Sequence, residues 1–235
     1  METLMGFLDI QFTNVSSFSW DWAYVLKMFP LLLKAAVVTV QLAVLAITFG
    51  TVIGLFIALM KISRNKLLNY LGSVYTWIFR GIPLLVQLFI IYFGLASIGV
   101  RLPAKLAAII GISLCGGAYI AEIIRAGIQS IDKGQMEAAL SLGMTKSQAM
   151  RRVILPQTYR RLIPPMGNEF ISLLKDTALA SAITVTELLR TAQVHAGYSY
   201  KSFELYLSAG FIYLMLTTVF TLAFGALENK LSQAD

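Results

Sequence analysis

Glu169, Asn168 and Ser172 place a carboxylate, a neutral amide and a hydroxyl within about one helical turn, in the apolar string Pro165 to Leu174. Such a trio suits a zwitterion: the carboxylate takes an ammonium group and the neutral groups serve a carboxyl end. It equally suits hydrogen bonding across a seam between two subunits. Lys175 and Asp176, just beyond, read as the outer end of the same segment. A second polar cluster is Arg80-Gly81-Ile82-Pro83-Leu84, running on to Gln87. Pro83 has no N–H and its ring opposes the preceding turn, so a helix breaks or kinks there. A break frees backbone dipoles for a charged solute. A simple kink would leave Arg80 reaching for the cytoplasmic headgroups. The third cluster is Glu122 with Arg125, three residues apart and able to pair on one helix face, either as a structural tie or gate or in contact with a solute. Ionisable groups in apolar surroundings are costly, so each cluster is a functional candidate.

Along the chain, between the third of these clusters and the first, the sequence turns hydrophilic from Ser130 to Tyr159. Gln135 to Leu142 are good helix formers, and Gly143 suits the positive φ that ends a helix. Thr145 with Gln148 forms a capping box for a second helix through Ile154, which Pro156 is expected to stop. Ala138 and Ala139 are small enough to let another protein approach closely. The stretch is built to dock.

Its pattern, Glu137-Ala138-Ala139, three residues, Gly143, nine residues, Val153, one residue, Leu155-Pro156, resembles the EAA loop of the membrane subunits of ABC importers. Val153 stands where isoleucine is usual. The strings RGIPLLVQLF, AEIIRAGI and GNEFISLLKDTAL resemble the polar amino-acid subfamily of those permeases, and together the matches cover most of residues 76–180. The resemblance implies an all-α polytopic membrane protein with five spans and cytoplasmic coupling helices. It implies docking of Glu137, Ala138, Ala139, Gly143, Leu155 and Pro156 on a cytoplasmic ABC ATPase dimer, which would bind ATP-Mg. It also implies a second permease subunit, identical or homologous, and an extracytoplasmic solute-binding protein. Solute contacts carry over to Gly81, Ile82, Pro83 and Leu84 and to Asn168, Glu169 and Ser172. Many members have Thr or Gly at the position of Ile82, so no hydroxyl contact is assumed there.

Composition agrees. Of 235 residues 57% are hydrophobic and 13% charged, about half the charged share of a soluble domain. Mean hydropathy is +0.74. The net charge of +7 is not gathered with aromatics on one face, which argues against nucleic acid. Cys115, the single cysteine, excludes a disulfide framework, and the lone His195 reads as a surface residue in an extracytoplasmic loop. Gly143 to Ser147, GMTKS, lacks the glycine before lysine and the preceding strand of a phosphate loop. No cofactor is expected in this chain, and its energy must come from another polypeptide.

The elements that position these residues form one domain, 1–235. Residues 1–29, rich in aromatics and without the basic start and apolar core of a signal peptide, read as an interfacial segment. Spans are expected over Leu31 to Met60, Leu68 to Ile98 with the interruption at Pro83, Pro103 to Arg125, Leu162 to Ala182, and Phe203 to Leu227. Ten basic residues flank these spans on the side of the docking loop and five on the other. That puts the loop and the C-terminus in the cytoplasm and the N-terminus outside the plasma or inner membrane.

Three functions compete: an ABC importer permease for a polar amino acid (basic, or another amino-acid-like solute such as cystine), an ATP-independent secondary transporter, and a docking scaffold. Five spans with few membrane carboxylates to relay protons disfavour the second. The third leaves the polar clusters unexplained.

Overall fold

A computed structural model describes residues 19–232, which are helical with no strand among the described residues. Helix α1 is Trp22–Ile62 and α2 is Lys66–Gly81. Helix α3 runs Leu84–Ser97 with a wide π turn at Ile90–Gly94, and α4 is Ala104–Gln129. The docking loop holds α5, Lys133–Ser141, and α6, Lys146–Ala149. A π turn at Met150–Ile154 leads into α7, Leu155–Asp176, which ends in a 3₁₀ stretch, Thr177–Ile183. Helices α8, Leu188–Ser199, and α9, Ser202–Ser232, complete the described residues.

Residues 19–29 of the expected interfacial segment are described. Residues 22–29 are the first two turns of α1, because Asp21 caps them by accepting the Tyr24 N–H at 2.9 Å. Lys201 pairs with Asp21 and stands 4.7 Å over the Tyr24 ring, tying the start of α1 to that of α9. The Lys201 contact, and then the Tyr24 N–H, hold the Asp21 carboxyl below the ordinary aspartate range. A depressed value makes the tie fully present above the unfolded pKa and lost only as pH falls through the folded one. Residues 1–18 of the same expected segment lie outside the described residues.

Helix α4 is the centre of the bundle. It crosses α1 at Gly50, Gly54 and Gly117, where a Cβ at Gly54 would stand 2.7 Å from Ile120 and 3.0 Å from the Gly117 carbonyl oxygen. Small residues at a crossing let apolar helices pack backbone to backbone, the packing available where lipid removes any hydrophobic drive. Leu42, Ala46, Leu88, Ala107, Ala108, Ile112 and Leu173 fill the core around this crossing. The buried carboxylate of Glu187 joins three further elements. It accepts the Tyr213 hydroxyl of α9 at 2.6 Å, the Thr39 hydroxyl of α1 at 3.3 Å and the Arg190 N–H of α8 at 2.7 Å.

Helices α1, α4 and α9 are each long and apolar enough to cross a membrane, and the pair α2–α3 makes a fourth such element if counted as one. Helix α9 leaves Phe211, Leu214, Val219 and Leu222 exposed, a surface suited to lipid. The expected fourth span falls within α7 and its 3₁₀ extension, a helix too polar to qualify by composition.

Candidate functional site

The break at Pro83 is complete. Helices α2 and α3 meet at 99°, far beyond a kink, with Ile82 extended as the residue before proline must be. Without a proline N–H the Phe79 carbonyl would lack a partner. The Gln87 side chain supplies one, donating to the Phe79 oxygen at 2.9 Å and to the Ile82 oxygen at 2.8 Å. The bend is therefore fixed from within.

Beside it opens a cavity of about 370 Å³. Arg80, Gly81, Ile82, Pro83 and Leu84 form one wall, Cys115, Gly116 and Tyr119 of α4 the second, and Glu169, Ser172, Leu173 and Asp176 of α7 the third. The Arg80 guanidinium stands 5.1 Å over the Tyr119 ring instead of stretching away to the headgroups. Gly116 lets Leu173 approach α4, since a Cβ there would meet it at 3.0 Å. Larger grooves between α1 and α9 are lined almost wholly by aliphatic and aromatic side chains and suit hydrocarbon. The cavity at the break is lined with charges.

Of the expected solute contacts, Gly81, Ile82, Pro83, Leu84, Glu169 and Ser172 all line it. Asn168 is exposed and does not. Asp176, at the end of α7 as expected, also lines the cavity, seven residues and two turns beyond Glu169 on one helix face. That spacing was available in the sequence. Arg80, Tyr119 and Cys115 join through contacts between helices far apart in the chain.

Glu122 and Arg125 lie outside the cavity lining. Arg125 donates twice to Glu122 Oε2, at 2.9 Å from Nε and 2.7 Å from Nη2. The other carboxylate oxygen takes Lys61, from the end of α1, which also bonds the Thr76 hydroxyl of α2 at 2.8 Å. Three helices are thus joined at one carboxylate. This is the geometry of a structural tie.

In the docking loop Gly143 has φ +81° and the capping box is made, the Gln148 N–H donating to Thr145 Oγ1 at 3.3 Å and the Thr145 N–H to Gln148 Oε1 at 2.9 Å. Two expectations change. Pro156 does not stop a helix: the π turn shifts the hydrogen-bond frame, the Leu155 N–H reaching back to the Met150 oxygen, and the wider backbone gives the ring room. Ala139 is buried against its own loop, whereas Glu137, Ala138, Leu142, Leu155 and Pro156 are exposed. Arg161 of α7 anchors the loop's start, donating to the Ser130 oxygen at 2.6 Å.

Space around a Gly143 Cβ is open, so any penalty there comes from the backbone alone. Gly143→Val should strain the turn by about 1–3 kcal/mol, while Gly143→Asn, tolerant of left-handed φ, should stay near the parent. Limited proteolysis across residues 130–159 reads the difference. Equal protection of the Val and Asn variants would contradict it.

The arrangement joins a broken helix, a charged cavity and a capped loop, and its relatives share that whole length. The family profile described as "Binding-protein-dependent transport system inner membrane component" matches residues 50–233. "Probable amino-acid permease protein YxeN" of Bacillus subtilis (strain 168) is 42% identical over 91% of this chain and 96% of its own. "L-cystine transport system permease protein TcyB" of the same organism is 42% identical over 90% of this chain and 92% of its own. The "Crystal structure of an amino acid ABC transporter with histidines" contains a chain 42% identical, with TM-score 0.87, covering 91% of this chain and 100% of that one. A likeness this long, through both the cavity-lining helices and the docking loop, means that the chain belongs to the family of binding-protein-dependent transport system inner membrane components.

Proposed function

We propose that this chain is the membrane subunit of an ATP-driven importer that carries a polar amino acid into the cytoplasm, and that the solute passes through the cavity at the α2–α3 break. The observation that carries this reading is the cavity's chemistry: one guanidinium, two carboxylates and two hydroxyls, those of Ser172 and Tyr119, around about 370 Å³. Such groups are retained at membrane depth where they meet a polar occupant. Relatives named for amino-acid and L-cystine transport, and a solved neighbour titled with histidines, support the solute class.

Transport then needs parts that this chain does not supply. Two copies of a separate ATPase bind ATP-Mg and dock on the Ser130–Tyr159 loop. A second permease subunit, identical or homologous, completes the pathway, and an extracytoplasmic binding protein delivers solute. The chain itself performs no hydrolysis. The chain is placed in the plasma or inner membrane with five crossings, and the distribution of basic residues supports an N-terminus outside and a C-terminus in the cytoplasm.

Reconstitution in proteoliposomes tests this. Amino-acid uptake should appear only with the ATPase and ATP, and a photo-cross-linker at exposed Leu142 should capture the ATPase. Uptake driven by a solute or ion gradient in the chain alone would establish a secondary transporter instead.

A further inference from the structure

Where α1 and α9 begin side by side, one acid is left over. Asp21 has Lys201, and the same ammonium covers the Tyr24 ring. Glu204, in the first turn of α9, is only 5% exposed. Among the described residues its carboxylate has neither a salt bridge nor a hydrogen-bond donor. Ser208, one turn on, gives its hydroxyl to the Glu204 backbone oxygen at 2.6 Å and not to the carboxylate. The start of a helix favours an anion but supplies no counter-ion. A carboxylate with so little water and no partner is costly.

Beside it stands a donor without an acceptor. Trp20 packs edge-on against Phe203, the ring centroids 5.8 Å apart, and lies 5.3 Å from Trp22. Its Nε1–H is buried and meets no acceptor. Trp20 also lines an apolar groove of about 610 Å³, with Trp22, Leu26 and Phe29 of α1 and Leu207 and Phe211 of α9. Glu204 precedes Leu207 and Ser208 of that groove by three and four residues, so it shares their helix face at the groove's head. From Trp22 to Phe29 the groove follows α1 for about 10 Å.

A free cation would meet Glu204 and leave the groove and the indole unused. An anionic headgroup would be repelled by the carboxylate. A quaternary ammonium carries the charge but has no N–H to give. A phosphoglyceride ending in a primary ammonium meets all three features: the ammonium donates to Glu204, a phosphate or ester oxygen accepts from Trp20, and an acyl chain lies in the groove. We propose that the α1–α9 groove headed by Trp20 and Glu204 binds a phospholipid of the phosphatidylethanolamine type. This site shares no lining residue with the solute cavity and stands independently of it.

The full-length chain in detergent is given phosphatidylethanolamine, phosphatidylcholine and phosphatidylglycerol with identical acyl chains, and bound lipid is counted by native mass spectrometry. Phosphatidylethanolamine should be retained at least about tenfold better than phosphatidylglycerol, as a charge-assisted hydrogen bond requires, and better than phosphatidylcholine. Glu204→Gln should bring the first ratio close to one. Glu228→Gln, exposed at the other end of α9, should leave it unchanged. Trp20→Phe should lower retention of all three lipids together. In the parent chain phosphatidylethanolamine should raise the melting temperature more than phosphatidylglycerol does, a test that needs no variant to fold. Equal retention of the three lipids by the parent, or an unchanged ratio in Glu204→Gln, overturns the site. Phosphatidylcholine held as well as phosphatidylethanolamine overturns the primary-ammonium assignment. Displacement of the lipid by glycerophosphoethanolamine, which has the headgroup and no chains, overturns the part given to the groove.

Discussion

Glu122→Ala should lower the stability of the folded chain by about 3–5 kcal/mol, the size of effect seen when one member of a buried ion pair is removed. The side chains of Lys61 and Glu122 are only 13% and 17% exposed, so the alanine variant leaves an ammonium with little water and no carboxylate. Its remaining contact, the Thr76 hydroxyl, carries no charge. Arg125, at 32%, recovers solvent more easily, and Arg125→Ala should therefore do less harm. Glu122→Gln keeps the shape and one acceptor and should fall between them. Thermal denaturation of the purified protein in one detergent ranks the three. An alanine variant melting beside the parent would show that the carboxylate joins α1, α2 and α4 in geometry only.

Gly54→Leu is the second large effect. A Cβ at this position meets Ile120 at 2.7 Å and the Gly117 carbonyl oxygen at 3.0 Å, and the second of these is backbone that cannot rotate aside. Helices α1 and α4 must separate, and overpacking of this kind costs about 1–3 kcal/mol or more. Ala58, Ala121 and Ile124, which cluster with Ile120, would loosen with it. Gly210→Ala is the matched control, since nothing lies within 4 Å of a Cβ there and alanine favours helix by about 0.8–1 kcal/mol. The ratio of monodisperse to aggregated protein in gel filtration reports the outcome. Equal ratios for the two variants would mean that the crossing has slack.

What could be read from the sequence was what short-range rules decide. The Thr145–Gln148 box, the left-handed Gly143 and the break before Pro83 depend on neighbours within four residues, and all three stand as expected. Six of the twelve lining residues were among the expected contacts, Glu169 and Ser172 as polar residues in an apolar run and Gly81 to Leu84 through the resemblance at the break. Pro156 misled because the π turn that accommodates it is a shift of one hydrogen bond, with no composition of its own. Ala139 and Ala138 are adjacent and alike in type, and only the folded loop separates the buried one from the exposed one. Lys61 reaches Glu122 across sixty-one positions, and Glu187 reaches Thr39 across 148, so no local pattern announces either pair. The Gly50–Gly54 spacing in an apolar helix was a legible sign of close packing, though not of which helix lies opposite.

Because the π turn carries the helix through Pro156, the backbone is helical without interruption from Lys146 to Asp176. Its near end borders the exposed loop and its far end holds Glu169 and Asp176 in the cavity wall. At about 1.5 Å per residue this bar is roughly 45 Å long, so a tilt of about 5° about its near end sweeps the far end through about 4 Å. That is more than the reach of a hydrogen bond. The element is a lever whose stroke is set by its two soft points, the π turn at Met150–Ile154 and the Pro164–Pro165 pair inside α7: a small rotation at the loop reaches the two carboxylates through them.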